Sequence, residues 1–136
     1  MYHSSLLHLL YTATLSRVIA ANPEVILSTG TFRGLTTPNG TDRFLGVPYA
    51  QPPVGNLRFK APVAITTPFP GIQDALQFGS ACPQPPRTSL GAPIGEDCLF
   101  LNVWRPINTT SDSKLPVLVW IHGGVYNTGA SSDPEF

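Results

Sequence analysis

The chain has 136 residues, with 8 Lys plus Arg against 8 Asp plus Glu, a net charge of zero and only 12% charged residues. That balance provides no general pull toward polyanions, so no nucleic-acid partner is expected. Gly and Pro number 12 and 15, while 42% of residues are hydrophobic, which excludes disorder and predicts one small globular domain with long, stiff loops.

Residues 1–21 read as a signal peptide. An apolar stretch from Leu6 to Leu15 is followed by Arg17 and the small-residue segment ending at Ala20 and Ala21, where cleavage is expected. The apolar stretch falls short of the roughly 20 residues that span a bilayer, so no stable membrane anchor is expected. The alternative is an uncleaved amphipathic helix, since the segment before the apolar stretch has only His3 as a basic residue. Two further features favour a secreted, extracellular location. Asn39-Gly40-Thr41 and Asn108-Thr109-Thr110 are N-glycosylation sequons, and Cys82 and Cys98 are an even pair in a loop-rich stretch.

Beyond the leader, residues 24–27 and 29–33 read as short strands, Pro38 to Thr41 as a turn, and 43–47 as a third strand, together an antiparallel meander. Ten prolines between Pro48 and Glu96 forbid a lasting helix or central strand there, leaving a long covering loop. Residues 99–104 read as a strand ending at Pro106. A polar linker, 108–114, leads to the run Val117-Leu118-Val119-Trp120-Ile121. This run is apolar at every position, the pattern of a central strand covered on both faces, so Trp104 and Trp120 are expected in the core.

Directly after that strand comes His122-Gly123-Gly124-Val125-Tyr126-Asn127-Thr128-Gly129. Glycines at a strand's carboxyl end let neighbouring N–H groups converge where a carbonyl under attack develops negative charge, an oxyanion hole. Read alone, the same turn is explained as well by a need for positive φ. His122 with Asp133 and Glu135 lacks ligand-grade spacing, so no metal site and no cofactor are expected.

Three stretches in order carry a resemblance: F-L-G-V-P-Y-A-Q-P-P-V-G-N-L-R-F at 44–59, E-D-C-L-F-L-N-V-W-R-P at 96–106, and 117–129. Together they resemble the N-terminal portion of the type-B carboxylesterase, lipase and cholinesterase family of α/β-hydrolases. The resemblance implies that 22–136 is the N-terminal part of a carboxylesterase type B domain: an antiparallel meander, a long disulfide-tied loop and the first central strands of an α/β fold, truncated. It implies oxyanion-hole N–H groups on Gly124 and Val125, with Gly123 and His122 as structural support. It also implies a Cys82–Cys98 disulfide, the alternative being two unpaired buried thiols, and a buried ion pair between Arg58 and Glu96, the alternative being two surface charges. Val125 departs from the small residues common at its position; a β-branched side chain there restricts the backbone and narrows the acyl side.

The family nucleophile sits in G-x-S-x-G, and no serine here has glycine two before and two after. Ser131 follows Gly129, but Asp133 stands where the second glycine belongs. The triad order of serine, acid and histidine falls later than the oxyanion turn in this fold. The expectation is therefore an N-terminal fragment of a secreted carboxylic-ester hydrolase, inactive alone, whose full-length relatives act on small-molecule or lipid esters. The alternative is a fragment of a non-catalytic, cholinesterase-like adhesion or binding protein. Oligomeric state is not written in the sequence.

Overall fold

A computed structural model describes residues 22–134; the expected leader, and Glu135 with Phe136, lie outside them. Two three-stranded sheets organise the described residues. In the first, β1 (Glu24–Leu27) and β2 (Gly30–Arg33) form a hairpin with Val25 opposite Phe32, and the short β5 (Ile72–Asp74) pairs in parallel with β2. In the second, β4 (Thr41–Pro48) lies between β3 (Leu35–Thr36) and β6 (Phe100–Pro106), antiparallel to both. The opening is thus split between two sheets, where a single antiparallel meander was expected. Strand pattern predicts which face is buried and leaves the partner open, and the proline-rich loop supplies β5 to the edge of β2.

The core sits where the sheets meet. Phe32, Phe44, Val47 and Ala75 are buried together, with Val25 and Phe69 packed against them. Phe32 and Phe69 meet edge to face at 6.2 Å and 77°. Full burial of a phenylalanine contributes about 1.5–3 kcal/mol, so this cluster is the main apolar contribution of the two sheets.

A bulge breaks the β4–β6 register between Phe44 and Val47. Gly46 occupies it at φ +68°, donating its N–H to Asn102 Oδ1 at 2.9 Å, and a Cβ there would lie 2.6 Å from Gln77 O. Only glycine fits both constraints. Beside the bulge, Leu45 N–H donates to Ala75 O at 2.9 Å and ties β4 to the residue after β5. Asp42, buried at the start of β4, accepts from Thr36 Oγ1 at 2.7 Å and from Arg105 Nε at 3.4 Å. The Arg105 guanidinium in turn lies 5.2 Å from the centre of the Phe44 ring.

Between Pro48 and Phe100 the chain is mostly irregular, with one 3₁₀ turn at Gly55–Leu57 besides β5, as the prolines require. Its second half is closed by the Cys82–Cys98 disulfide, with Cα atoms 5.0 Å apart.

Residues 117–121 depart from expectation. They form no strand, and Val117, Leu118 and Ile121 are 85%, 94% and 84% exposed. An all-apolar strand needs a ladder partner at an edge and cover on both faces, and among the described residues nothing supplies either. Trp120 and Trp104 are correspondingly about half exposed instead of buried. Trp104 on β6 leans on Phe78 at 6.4 Å, and Trp120 on the His122 ring at 6.4 Å. No helix among the described residues is long and apolar enough to cross a membrane.

Candidate functional site: the turn after residue 121

The turn is built around the carbonyl of Gly124. It accepts from Asn127 N at 3.1 Å, from Thr128 N at 3.0 Å and from the Thr128 hydroxyl at 3.0 Å. The two residues spanned by the Asn127 N–H to Gly124 O bond are Val125 at φ +53° and Tyr126 at φ +63°. Positive φ at both central positions is the habit of a type I′ turn, normally filled by Asn, Asp or Gly. Here a β-branched and an aromatic residue fill it, a conformation that costs of order 1–3 kcal/mol per residue. Both side chains are fully or nearly fully exposed. Gly124 itself lies at φ +124°, and a Cβ on it would fall 1.8 Å from Thr128 O. Glycine is therefore obligatory where the chain doubles back on itself.

The N–H groups of Gly124 and Val125 donate to no acceptor among the described residues. Successive backbone N–H groups in a turn of this kind form a concavity suited to negative charge. His122 Nδ1 lies 2.8 Å from Gly123 O, its ring lies 6.4 Å from that of Trp120, and it forms no ion pair among the described residues.

The base of the turn is pinned by residues that sequence reading passed over. Gln84 Oε1 accepts from Gly129 N at 2.8 Å, and Gln84 Nε2 donates to Gly129 O at 2.9 Å and to Cys82 O at 3.0 Å. Further on, Ala130 packs with Ala81 and Leu90, and the Ser132 hydroxyl donates to Leu90 O at 2.5 Å. Arg87 pairs with the buried Asp133 carboxylate. Asn102 on β6 donates to Ser131 Oγ at 2.9 Å. Apart from the Gln84–Cys82 bond, which spans two residues, these hydrogen bonds and the ion pair join residues 29 to 46 positions apart, and such spacing leaves no local pattern. The weak signal present in sequence was polar residues clustered in a loop beside Cys82.

Of the expected supports, the disulfide is present. Arg58 Nε and Glu96 Oε1 meet at 3.0 Å, but their side chains are 51% and 43% exposed. The pair is thus formed but half-exposed, between the buried pair that the resemblance implies and the alternative of two surface charges; the Arg58 guanidinium lies 5.2 Å from the centre of the Phe59 ring, itself almost fully exposed. The sequon residues Asn39 and Asn108 are both exposed, each beside a tight turn. Two cavities, one of about 200 Å³ lined by Phe32, Gly46, Phe69 and Phe100 among others and one lined by Arg43, Leu76, Phe78 and Pro93 among others, lie away from the 122–129 turn, none of whose residues lines them.

Comparison with known proteins agrees with this frame. The profile described as Carboxylesterase family matches residues 21–135. The para-nitrobenzyl esterase of Bacillus subtilis is 44% identical over 112 residues, 74% of this chain and 21% of that protein. A medium-chain fatty acyl-CoA hydrolase precursor of Anas platyrhynchos is 37% identical over 152 residues, 95% of this chain and 27% of that protein. Among solved structures, a thermophilic para-nitrobenzyl esterase superposes with a TM-score of 0.73 at 41% identity, covering 84% of this chain and 24% of the other. The EstA structure of Aspergillus niger gives 0.70 at 42% identity over 79% and 20%. The chain therefore belongs to the carboxylesterase family and takes part of the α/β-hydrolase fold of these esterases. It spans about a quarter or less of the length of those relatives.

Proposed function

We propose that this chain is the N-terminal part of a secreted carboxylic-ester hydrolase and supplies the oxyanion hole through the N–H groups of Gly124 and Val125. In this reading residues 1–21 are a removable leader, 22–136 are the start of the catalytic domain, and Asn39 and Asn108 carry N-linked glycans. The observation that carries it is the pair of undonated amides at a turn held at positive φ directly after an apolar run. Such donors act where charge develops in the tetrahedral intermediate of acyl transfer, and a hydroxyl nucleophile placed above them completes the machinery. Here no serine lies in G-x-S-x-G, so the 136-residue chain provides the electrostatic half of the site without the nucleophile. Small-molecule or lipid esters are the substrate class that this reading assigns to the complete site.

A chimera tests it. Residues 22–134 replace the matching segment of the Bacillus subtilis para-nitrobenzyl esterase, which supplies the remainder of the fold, and hydrolysis of a para-nitrobenzyl ester is followed. The chimera is expected to keep kcat within about a hundredfold of the bacterial enzyme, since each lost oxyanion donor costs about 10²–10³. A folded chimera more than a thousandfold slower would overturn the assignment. If the native transcript continues into an inert residue at the serine position, the binding-protein alternative replaces the enzyme.

A further inference from the structure

One side chain reaches the turn from the disulfide loop. Gln84 is half-buried and uses all of its amide: both Nε2 hydrogens and the oxygen are engaged, two of the three bonds on Gly129 and the third on Cys82 O. Bonding both the N–H and the C=O of Gly129 fixes the two peptide planes that flank its Cα relative to each other, as a single contact does not. Gly129 is itself buried against the turn. A Cβ on it would lie 2.5 Å from Gly123 O and 2.7 Å from His122 Nδ1, so a displacement of Gly129 is transmitted to the residues that precede Gly124. At the other end, Cys82 is joined to Cys98, two residues before β6. Cys82 is exposed and within reach of a reductant.

We propose that Gln84 is the positioning residue of the turn, and that through it the Cys82–Cys98 disulfide sets the geometry of the Gly124 and Val125 amides, making that geometry sensitive to reduction. Reduction adds two electrons and two protons from an external dithiol to give two thiols, with the dithiol leaving as its disulfide. Cys82 then loses its tether to the start of β6, and the carbonyl that orients the Gln84 amide moves with it. The functional meaning rests on the oxyanion reading above; the mechanical coupling does not.

The test uses the full 136-residue chain, isotope-labelled, with amide exchange and amide chemical shifts as readouts. In Gln84→Leu the Gly129 N–H is expected to exchange at least about tenfold faster, with the Gly124 and Val125 resonances shifted. The Leu45 amide, bonded to Ala75 O, reports the sheets and keeps its exchange rate. Dithiothreitol is expected to move Gly124 and Val125 in the parent chain and to leave them where they are in Gln84→Leu, the non-additivity that a shared route requires. Should Gln84→Leu lose the Leu45 signal as well, Gln84→Glu decides. It keeps the acceptor for Gly129 N–H and removes both donors, so Gly129 stays protected while Gly124 and Val125 still shift. Unchanged Gly129 exchange in a folded Gln84→Leu overturns the proposal. So do equal responses to reduction with and without Gln84, or a folded Gln84→Glu with Gly124 and Val125 unmoved. Failure here leaves the chimera's turnover untouched, and failure of the chimera leaves these resonances untouched, so the two readings fall separately.

Discussion

At Val125 the backbone holds a β-branched side chain at φ +53°, where Cβ crowds its own carbonyl, and Tyr126 repeats the arrangement at +63°. Neither side chain is repaid by burial. Val125→Gly removes that cost and is expected to raise stability by about 1 kcal/mol, offset in part by the greater freedom of glycine in the unfolded chain, as read by urea unfolding. A loss of stability on that substitution would show that the strain is absent. Ser132 makes the opposite case. Its buried hydroxyl satisfies Leu90 O, and Ser132→Ala leaves that carbonyl without its partner at a cost of about 1–3 kcal/mol. Arg58→Ala should cost no more than about 1 kcal/mol, because a half-exposed ion pair is screened by water and salt. A larger value in the same assay would mean that the pair is covered in solution.

Among the elements, the disulfide-closed loop and the 117–121 run behave oppositely. Fifteen residues lie between Cys82 and Cys98, and closing such a loop removes about 3 kcal/mol of chain entropy from the unfolded state; the double substitution to serine is expected to lower stability by that amount. The exposed apolar run has no ladder partner among the described residues and offers unpaired backbone to other chains. Leu118→Lys with Ile121→Glu is expected to reduce light scattering by the 136-residue chain at a given concentration without lowering its unfolding midpoint. A lower midpoint would show that the run is packed. These two segments also mark what the sequence could reveal. β1, β2 and β4 were legible because their alternation and turn residues are local, and the 122–129 turn because its glycines mark backbone need, whereas the bulge at Gly46 was read as uninterrupted strand. The partner of β2, the clamp at Gln84 and the Arg87–Asp133 pair were not, since each depends on residues brought together across tens of positions. The 117–121 run was misread for the converse reason: its pattern describes a strand whose ladder partner and cover are absent from the described residues.

At the scale of the whole chain, belonging to the carboxylesterase family and lacking G-x-S-x-G together set a sharp chemical expectation. A fluorophosphonate probe, which labels activated serines, should leave the purified 136-residue chain unmarked. Stoichiometric labelling of one serine would contradict the assignment of this chain as donor of amides alone. The pairing of β4 with β6 carries one more consequence, in time. Phe44 and Val103 stand roughly sixty residues apart in sequence, so their ladder waits on closure of a large loop, while the β1–β2 hairpin needs only its two-residue turn. During synthesis the hairpin can therefore form early, whereas the second sheet cannot assemble until Pro106 has left the ribosome. Throughout that interval Phe44 and Val47, half of the central cluster, stay unsheltered, and a chaperone able to hold extended apolar segments has its natural moment of engagement there.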